Sequence, residues 1–154
     1  MTPDPNSPVE ERAVHLRTFR MADYGAVLAL WQAAGLQGWS LVSREEVRRK
    51  RRRDPELFLV ACLEGRIVGT VMGAWDGRRG WAYNVVVDPA QQRRGIGRAL
   101  MGELEARLWS KGARVLNLHY FRESTWARDF YHALGFVDAS NAICTQKVLR
   151  EPGG

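Results

Sequence analysis

The residues from Gln92 to Gly97 read Q-R-R-G-I-G and stand between an apolar run and a strongly periodic one. Glycine allows positive φ and close approach of a ligand, while the free N–H groups of a helix's first turn form a site for phosphate. A pyrophosphate is the guest such a turn suits. Arg93, Arg94 and Arg98 add positive charge, which strengthens hydrogen bonds to phosphate oxygens. Two other glycine-rich loops fit less well. A dinucleotide fingerprint needs a third glycine where Leu100 stands, and no Lys-Ser/Thr follows as a nucleotide-triphosphate loop requires. At this level Gly95 and Gly97 could also do no more than turn the chain into a helix.

The turn needs elements to hold it. Val14, Leu16 and Thr18 alternate with His15, Arg17 and Phe19, which predicts a first strand. Val27, Leu28, Leu30 and Trp31 recur at helical spacing between Ala22 and Ala34. Ser43 and Glu46 form a capping-box pattern, so a second helix starts there and runs to Arg53, with Pro55 closing it. The runs Leu57 to Leu63 and Arg66 to Trp75 flank Glu64-Gly65 as a tight hairpin, and Trp81 to Val87 is a third strand ended by Asp88-Pro89. Ile96, Leu100, Leu104 and Leu108 then recur every four residues, marking a long amphipathic helix that Gly112 stops. A short strand over Val115 to Tyr120, a helix over Ser124 to Leu134 and a final strand over Ala142 to Leu149 complete the order β-α-α-β-β-β-α-β-α-β, an α+β (α/β) sandwich around one sheet.

The 154 residues suit one domain, expected over 12–150, with 1–11 as a proline-bearing flexible tail and 151–154 as a C-terminal tail. Cys62 and Cys144 lie in apolar stretches and read as small buried hydrophobes. No Cys/His cluster has the spacing of a metal site, so no metal is expected. The start of the chain has no signal-peptide pattern, and no apolar run approaches the roughly 20 residues that span a bilayer, which points to the cytoplasm and to no membrane partner. Lys and Arg outnumber Asp and Glu by 23 to 17, a net charge of +6 with a pI of 9.9. That balance suits a nucleic acid and a small polyanion equally. The run R-R-K-R-R-R, Arg48 to Arg53, would set basic side chains nearly all round a helix; a solvated face is the expected outcome, and nucleic acid is not expected as a partner.

Two signatures in order carry a resemblance to a known family. V-D-P-A-Q-Q-R-R-G-I-G is similar to the V-x-P strand end followed by [Q/R]-x-x-G-x-[G/A] of the GNAT N-acetyltransferases. A-R-D-F-Y-H-A-L-G-F, Ala127 to Phe136, is similar to that family's A-x-x-F-Y-x-x-L-G-F pattern. The resemblance covers Val14 to Leu149, and the run Leu57 to Tyr83 further resembles the YpeA-like subgroup. It implies a central mixed, mostly antiparallel sheet flanked by helices, with a splay between the strands near 82–88 and 114–120.

The resemblance further implies an enzyme that moves an acetyl group from acetyl-CoA to a primary amine by direct transfer. Backbone groups of Val85, Val86 and Val87 would run beside the pantetheine arm, and an N–H near Val86 would polarise the thioester carbonyl. Gln92, Arg93, Arg94, Gly95, Ile96, Gly97 and Arg98 would hold the pyrophosphate. Tyr131 matches the tyrosine that protonates the departing thiolate, a transfer open to a phenol of pKa about 10; its alternative is a core aromatic. Ser124 stands where many relatives carry an asparagine against the pantetheine, and its hydroxyl has a shorter reach.

No general base is assigned among Asp76, Glu123, His119 and His132, because the strand over Ala82 to Val87 lacks the glutamate of many relatives. The acceptor is an amine on a small molecule or a protein. In the family the first two helices line the acceptor side, so the basic run with Trp31 and Trp39 could attract an acidic acceptor. A homodimer stays open. The rival reading is a catalytically inactive GNAT-like module that binds CoA or nucleic acid.

Overall fold

A computed structural model of the protein describes residues 13–150; the tails expected over 1–11 and 151–154 lie outside them. The chain forms two compact units, one ending at Asn117 and one beginning at Leu118.

The first unit is built on a five-stranded sheet: β1 (His15–Thr18), β2 (Phe58–Leu63), β3 (Arg66–Trp75), β4 (Gly80–Val87) and β5 (Leu116–Asn117), in that spatial order. β1 to β4 pair antiparallel and β5 joins β4 parallel. The turn between β2 and β3 consists of Glu64 and Gly65, both at positive φ, as a two-residue hairpin with right-handed strand twist requires. The mixed, mostly antiparallel sheet with its helices is the α+β architecture that the sequence predicts.

Three helices cover the sheet: α1 (Tyr24–Ala33), α2 (Arg44–Arg53) and α3 (Ile96–Lys111). Val27, Leu30 and Trp31 of α1 and Val47 of α2 pack with Phe58, Val60, Met72 and Val86 in one core. The register pairs Phe58 with Met72 and aligns Val60, Thr70 and Val86, so these side chains share one face of the sheet. Phe19 stacks on Phe58 at 4.3 Å between ring centres and seals the end of that core.

α3 occupies the opposite face, where the strands present glycine. A Cβ on Gly73 would collide with Leu104 and stand 3.0 Å from the Leu57 carbonyl oxygen; one on Gly69 would stand 3.0 Å from both Ile96 and Leu100. Leu100, Leu104 and Leu108 are accordingly buried. The missing side chains let the helix that begins at the Gln92–Gly97 turn lie close against β3.

Local signals in the sequence act as expected at α2. The Ser43 hydroxyl accepts the Glu46 N–H at 3.2 Å and the Glu46 carboxylate accepts the Ser43 N–H at 2.8 Å, closing the capping box. The helix ends at Asp54, which pairs with Lys50 at 2.5 Å.

The second unit contains α4 (Thr125–Ala133), started by Ser124, whose hydroxyl oxygen accepts the Ala127 N–H at 3.3 Å. Two expectations need correction. The strand expected over Val115 to Tyr120 is confined to Leu116–Asn117, because only Gly80 and Trp81 pair with it. The final strand expected over Ala142 to Leu149 is absent: alternation of side chains marks a strand only where a ladder partner exists, and among the described residues this unit contains no other strand. Cys144 is consequently exposed rather than buried, while Cys62, seated on β2, is partly buried.

Candidate functional site

Within the first unit the ladder between β4 and β5 closes at two pairs, Gly80–Leu116 and Trp81–Asn117. β4 continues to Val87, and on the β5 side its edge from Ala82 onward has no ladder partner among the described residues. This is the expected splay, and it leaves backbone N–H and C=O groups of Val85, Val86 and Val87 on a strand edge able to accept an extended ligand. Asn117 stands where the ladder ends, and its Nδ2 is a buried donor without a partner among the described residues. Gln91 Oε1, one residue before the Gln92 turn, is a buried acceptor in the same condition. Buried polar atoms cost stability when left unpaired; Asn117 Nδ2 suits a carbonyl or phosphate oxygen of a ligand, and Gln91 Oε1 suits an amide N–H.

β4 is bulged in its middle. Thr70 pairs with Val86 and Met72 with Tyr83, so β4 carries one residue more than β3 across that span. Asn84 sits in the bulge with φ 47, a left-handed conformation that Asn tolerates better than most residues. A polar chain, buried at its Trp31–Thr70 end, holds it there. Trp31 Nε1 donates to Thr70 Oγ1 at 3.0 Å, the Thr70 hydroxyl donates to the Asn84 carbonyl at 2.9 Å, and Asn84 Nδ2 donates to the Ser40 carbonyl at 2.9 Å. Trp31 and Thr70 are both fully buried. Trp31 is therefore a core residue and not part of an acceptor-facing surface, whereas Trp39 is 59% exposed. Neither Thr70 nor Asn84 stands out as a site residue in the sequence. The available signal was an asparagine inside the run W-A-Y-N-V-V-V, a residue type depleted in strands.

The turn after β4 is shaped by two left-handed residues. Asp88 caps the 3-10 turn Pro89–Gln91 through Ala90 N–H at 2.9 Å. Arg93 has φ 69 and Gly95 φ 76, while Arg94 between them keeps negative φ. Such alternation turns successive N–H groups inward as an anion-binding concavity. Gly95 is the N-cap of α3 and offers no side-chain cap, so the first-turn N–H groups of Ile96, Gly97 and Arg98 remain for a ligand. Ile96 and Gly97 are buried in that first turn, and Arg93, Arg94 and Arg98 are exposed around it.

In the second unit Tyr131 is 6% exposed and enclosed by aromatic rings: Tyr120 at 5.8 Å, Phe130 at 5.1 Å and Phe136 at 5.6 Å between centres. Burial pushes its phenol up to about 12, keeping the hydroxyl protonated. Ser124 spends its oxygen on the α4 cap, and that bond leaves its own O–H proton uncommitted.

The candidate bases are placed less favourably. The Asp76 carboxylate accepts the Arg79 and Arg78 N–H groups at 2.7 and 2.8 Å, which hold it below the usual carboxylate range and make it a turn-closing group. His132 Nε2 lies 3.0 Å from Asp138, whose other partner is the Tyr120 hydroxyl at 2.7 Å. Glu123 is exposed, and its carbonyl accepts the Thr125 N–H at 3.1 Å. Among the described residues no group of His, Cys, Asp or Glu could hold a metal ion, and no helix is long and apolar enough to cross a membrane.

The chain is 40% identical over 139 residues to the acetyltransferase SG1711 of Sodalis glossinidius, covering 90% of this chain and 97% of that protein. The fold is similar to Ard1 from Thermoplasma volcanium (TM-score 0.74, 24% identity, 81% of this chain and 83% of that one). It is also similar to the PaiA N-acetyltransferase from Thermoplasma acidophilum in complex with coenzyme A (TM-score 0.69, 19% identity, 83% and 94%). Residues 24–136 match the model of the acetyltransferase (GNAT) family, spanning β2, β3, the bulged β4, the turn and α3, and reaching Tyr131. The chain belongs to that family.

Proposed function

We propose that the protein transfers an acetyl group from acetyl-CoA to a primary amine. The observation that carries this reading is the unpaired edge of β4 running straight into an uncapped, left-handed turn. An extended amide-bearing arm ending in a pyrophosphate matches that sequence of groups, and the complex of PaiA with coenzyme A supports the choice of cosubstrate. In this reading Val85, Val86 and Val87 hydrogen-bond the pantetheine through their backbones. The N–H groups between Gln92 and Arg98 take the pyrophosphate, with Arg93, Arg94 and Arg98 adding charge. Ser124 contributes its free O–H to the pantetheine.

The acceptor nitrogen attacks the thioester carbonyl carbon, and the developing oxyanion is held by an N–H near Val86. The C–S bond then breaks. Tyr131 gives its proton to the leaving thiolate, and the ammonium formed on the acceptor loses its proton to water. A phenol held at about 12 stays neutral and protonated across the working range, so its proton is present when the thiolate leaves.

The test is release of free thiol from acetyl-CoA in the presence of a panel of amines: small metabolite amines, polyamines, lysine and N-terminal peptides. Thiol release that requires both acetyl-CoA and an amine, with acetylated amine as the product, is the expected outcome. No amine-dependent release from protein that binds acetyl-CoA would favour the inactive module.

A further inference from the structure

The basic run of the sequence is not used by the chemistry above. α2 carries seven of the chain's 23 basic residues against two of its 17 acidic ones, so the rest of the chain is close to balanced at sixteen against fifteen. Almost the whole net charge of +6 therefore sits on one helix of ten residues. Favourable interaction with the helix C-terminus accounts for cations in the last turn only, and Arg48 and Arg49 precede it.

The partners of these cations divide them. Lys50 is largely buried and paired with Asp54, Arg48 pairs with Glu45 at 3.3 Å, and Arg53 donates to the Trp75 carbonyl at 3.1 Å. Arg49, Arg51 and Arg52 are exposed and have no partner among the described residues. The Arg53 contact ties the end of α2 to the start of the β3–β4 hairpin, whose turn carries Arg78 and Arg79. The single apolar residue of α2, Val47, is fully buried, so every exposed position of the helix is charged.

We infer that the exposed face of α2 is a docking surface for the phosphate backbone of nucleic acid. Six of its seven cations are arginine, whose planar fork meets phosphate oxygens two at a time. A membrane-surface helix needs an apolar face to bury in the lipid, and α2 presents none. A protein partner is held mainly by aromatic and apolar anchors at the centre of the interface, which this face also lacks. Backbone-directed nucleic-acid binding needs neither; it draws its affinity from released counterions.

The test is fluorescence anisotropy of a labelled mixed-sequence DNA duplex of about 20 base pairs, titrated with the full chain between about 50 and about 200 mM salt, with duplex RNA and polyglutamate as parallel probes. The variants are Arg49→Ala/Arg51→Ala/Arg52→Ala and the corresponding triple lysine. Three lost phosphate contacts reduce the log–log salt slope by about 2.7, so the wild type loses about 40-fold more affinity across that range than the alanine variant does. The lysine variant keeps the slope. Thermal unfolding and acetyl-CoA binding of both variants should match wild type. No duplex binding at about 50 mM salt, an unchanged slope in the alanine variant, or tighter binding of polyglutamate than of either duplex overturns the inference; the last result would mark the face as a site for acidic protein.

Discussion

The segment Gly80 to Gly97 and the segment Ser124 to Phe136 both belong to the proposed catalytic apparatus, but they contribute in different ways. The first acts through backbone: an unpaired edge, a bulge at Asn84 and a turn with left-handed residues at Arg93 and Gly95. Its side chains matter mainly for fixing φ and ψ. In the proposed reaction the second acts through one hydroxyl, on Tyr131, that aromatic packing keeps buried and protonated. A site built on backbone is sensitive to changes that move the chain, wherever they lie. A site built on one side chain is sensitive to its own atom and tolerant around it.

The sharpest contrast comes from Tyr131→Phe, which keeps the ring and removes the proton. We expect kcat to fall by about 10²-fold with acetyl-CoA affinity nearly unchanged, measured by thiol release and calorimetry. The wild-type rate should decline only as pH approaches about 12, and that limb should vanish in the variant. The same group bears on stability. Its folded pKa lies above the unfolded value of about 10, so its contribution is fully present below about pH 10 and is lost as pH rises toward about 12. A variant within about twofold of wild-type turnover would return Tyr131 to the role of a core aromatic.

The backbone half is attacked from a distance by Thr70→Val, which keeps the shape of the side chain. The Trp31 indole N–H and the Asn84 carbonyl both lose their partner in the buried chain. We expect a loss of about 2 kcal/mol in urea unfolding, together with a rise in KM for acetyl-CoA as the bulge relaxes. Equal destabilisation with an unchanged KM would separate the bulge from cofactor binding. Gly73→Ala works through the other face of the sheet, where the new Cβ meets Leu104. It should cost about 1 to 2 kcal/mol in thermal unfolding and leave KM near wild type, because β3 and not β4 bears the strain.

The same contrast explains what was legible in the sequence. Features decided within a few residues could be read directly: the Ser43–Glu46 capping box, the Glu64-Gly65 hairpin and the four-residue spacing from Ile96 to Leu108. Tyr131 and the Gln92–Gly97 turn enter the proposal because each lies in a contiguous motif. The Trp31–Thr70–Asn84–Ser40 chain was not, since it joins four elements far apart in sequence and depends on the register of β3 with β4. The alternation from Ala142 to Leu149 misled for the same reason: strand pattern is local, whereas a ladder needs a partner elsewhere. Cys144 followed that segment into solvent.

The claim that a backbone turn holds the cosubstrate is tested most directly by calorimetric titration of acetyl-CoA into wild type, Gly97→Val and Arg93→Ala/Arg94→Ala/Arg98→Ala, each checked for folding by circular dichroism. A Cβ and its methyls at Gly97 hinder close approach to the first turn of α3, whereas the alanine variant removes charge and leaves the N–H groups in place. The account predicts that folded Gly97→Val loses tenfold or more in affinity, about 1.4 kcal/mol, while the alanine variant loses affinity mainly at low salt. Unchanged affinity in folded Gly97→Val would contradict it.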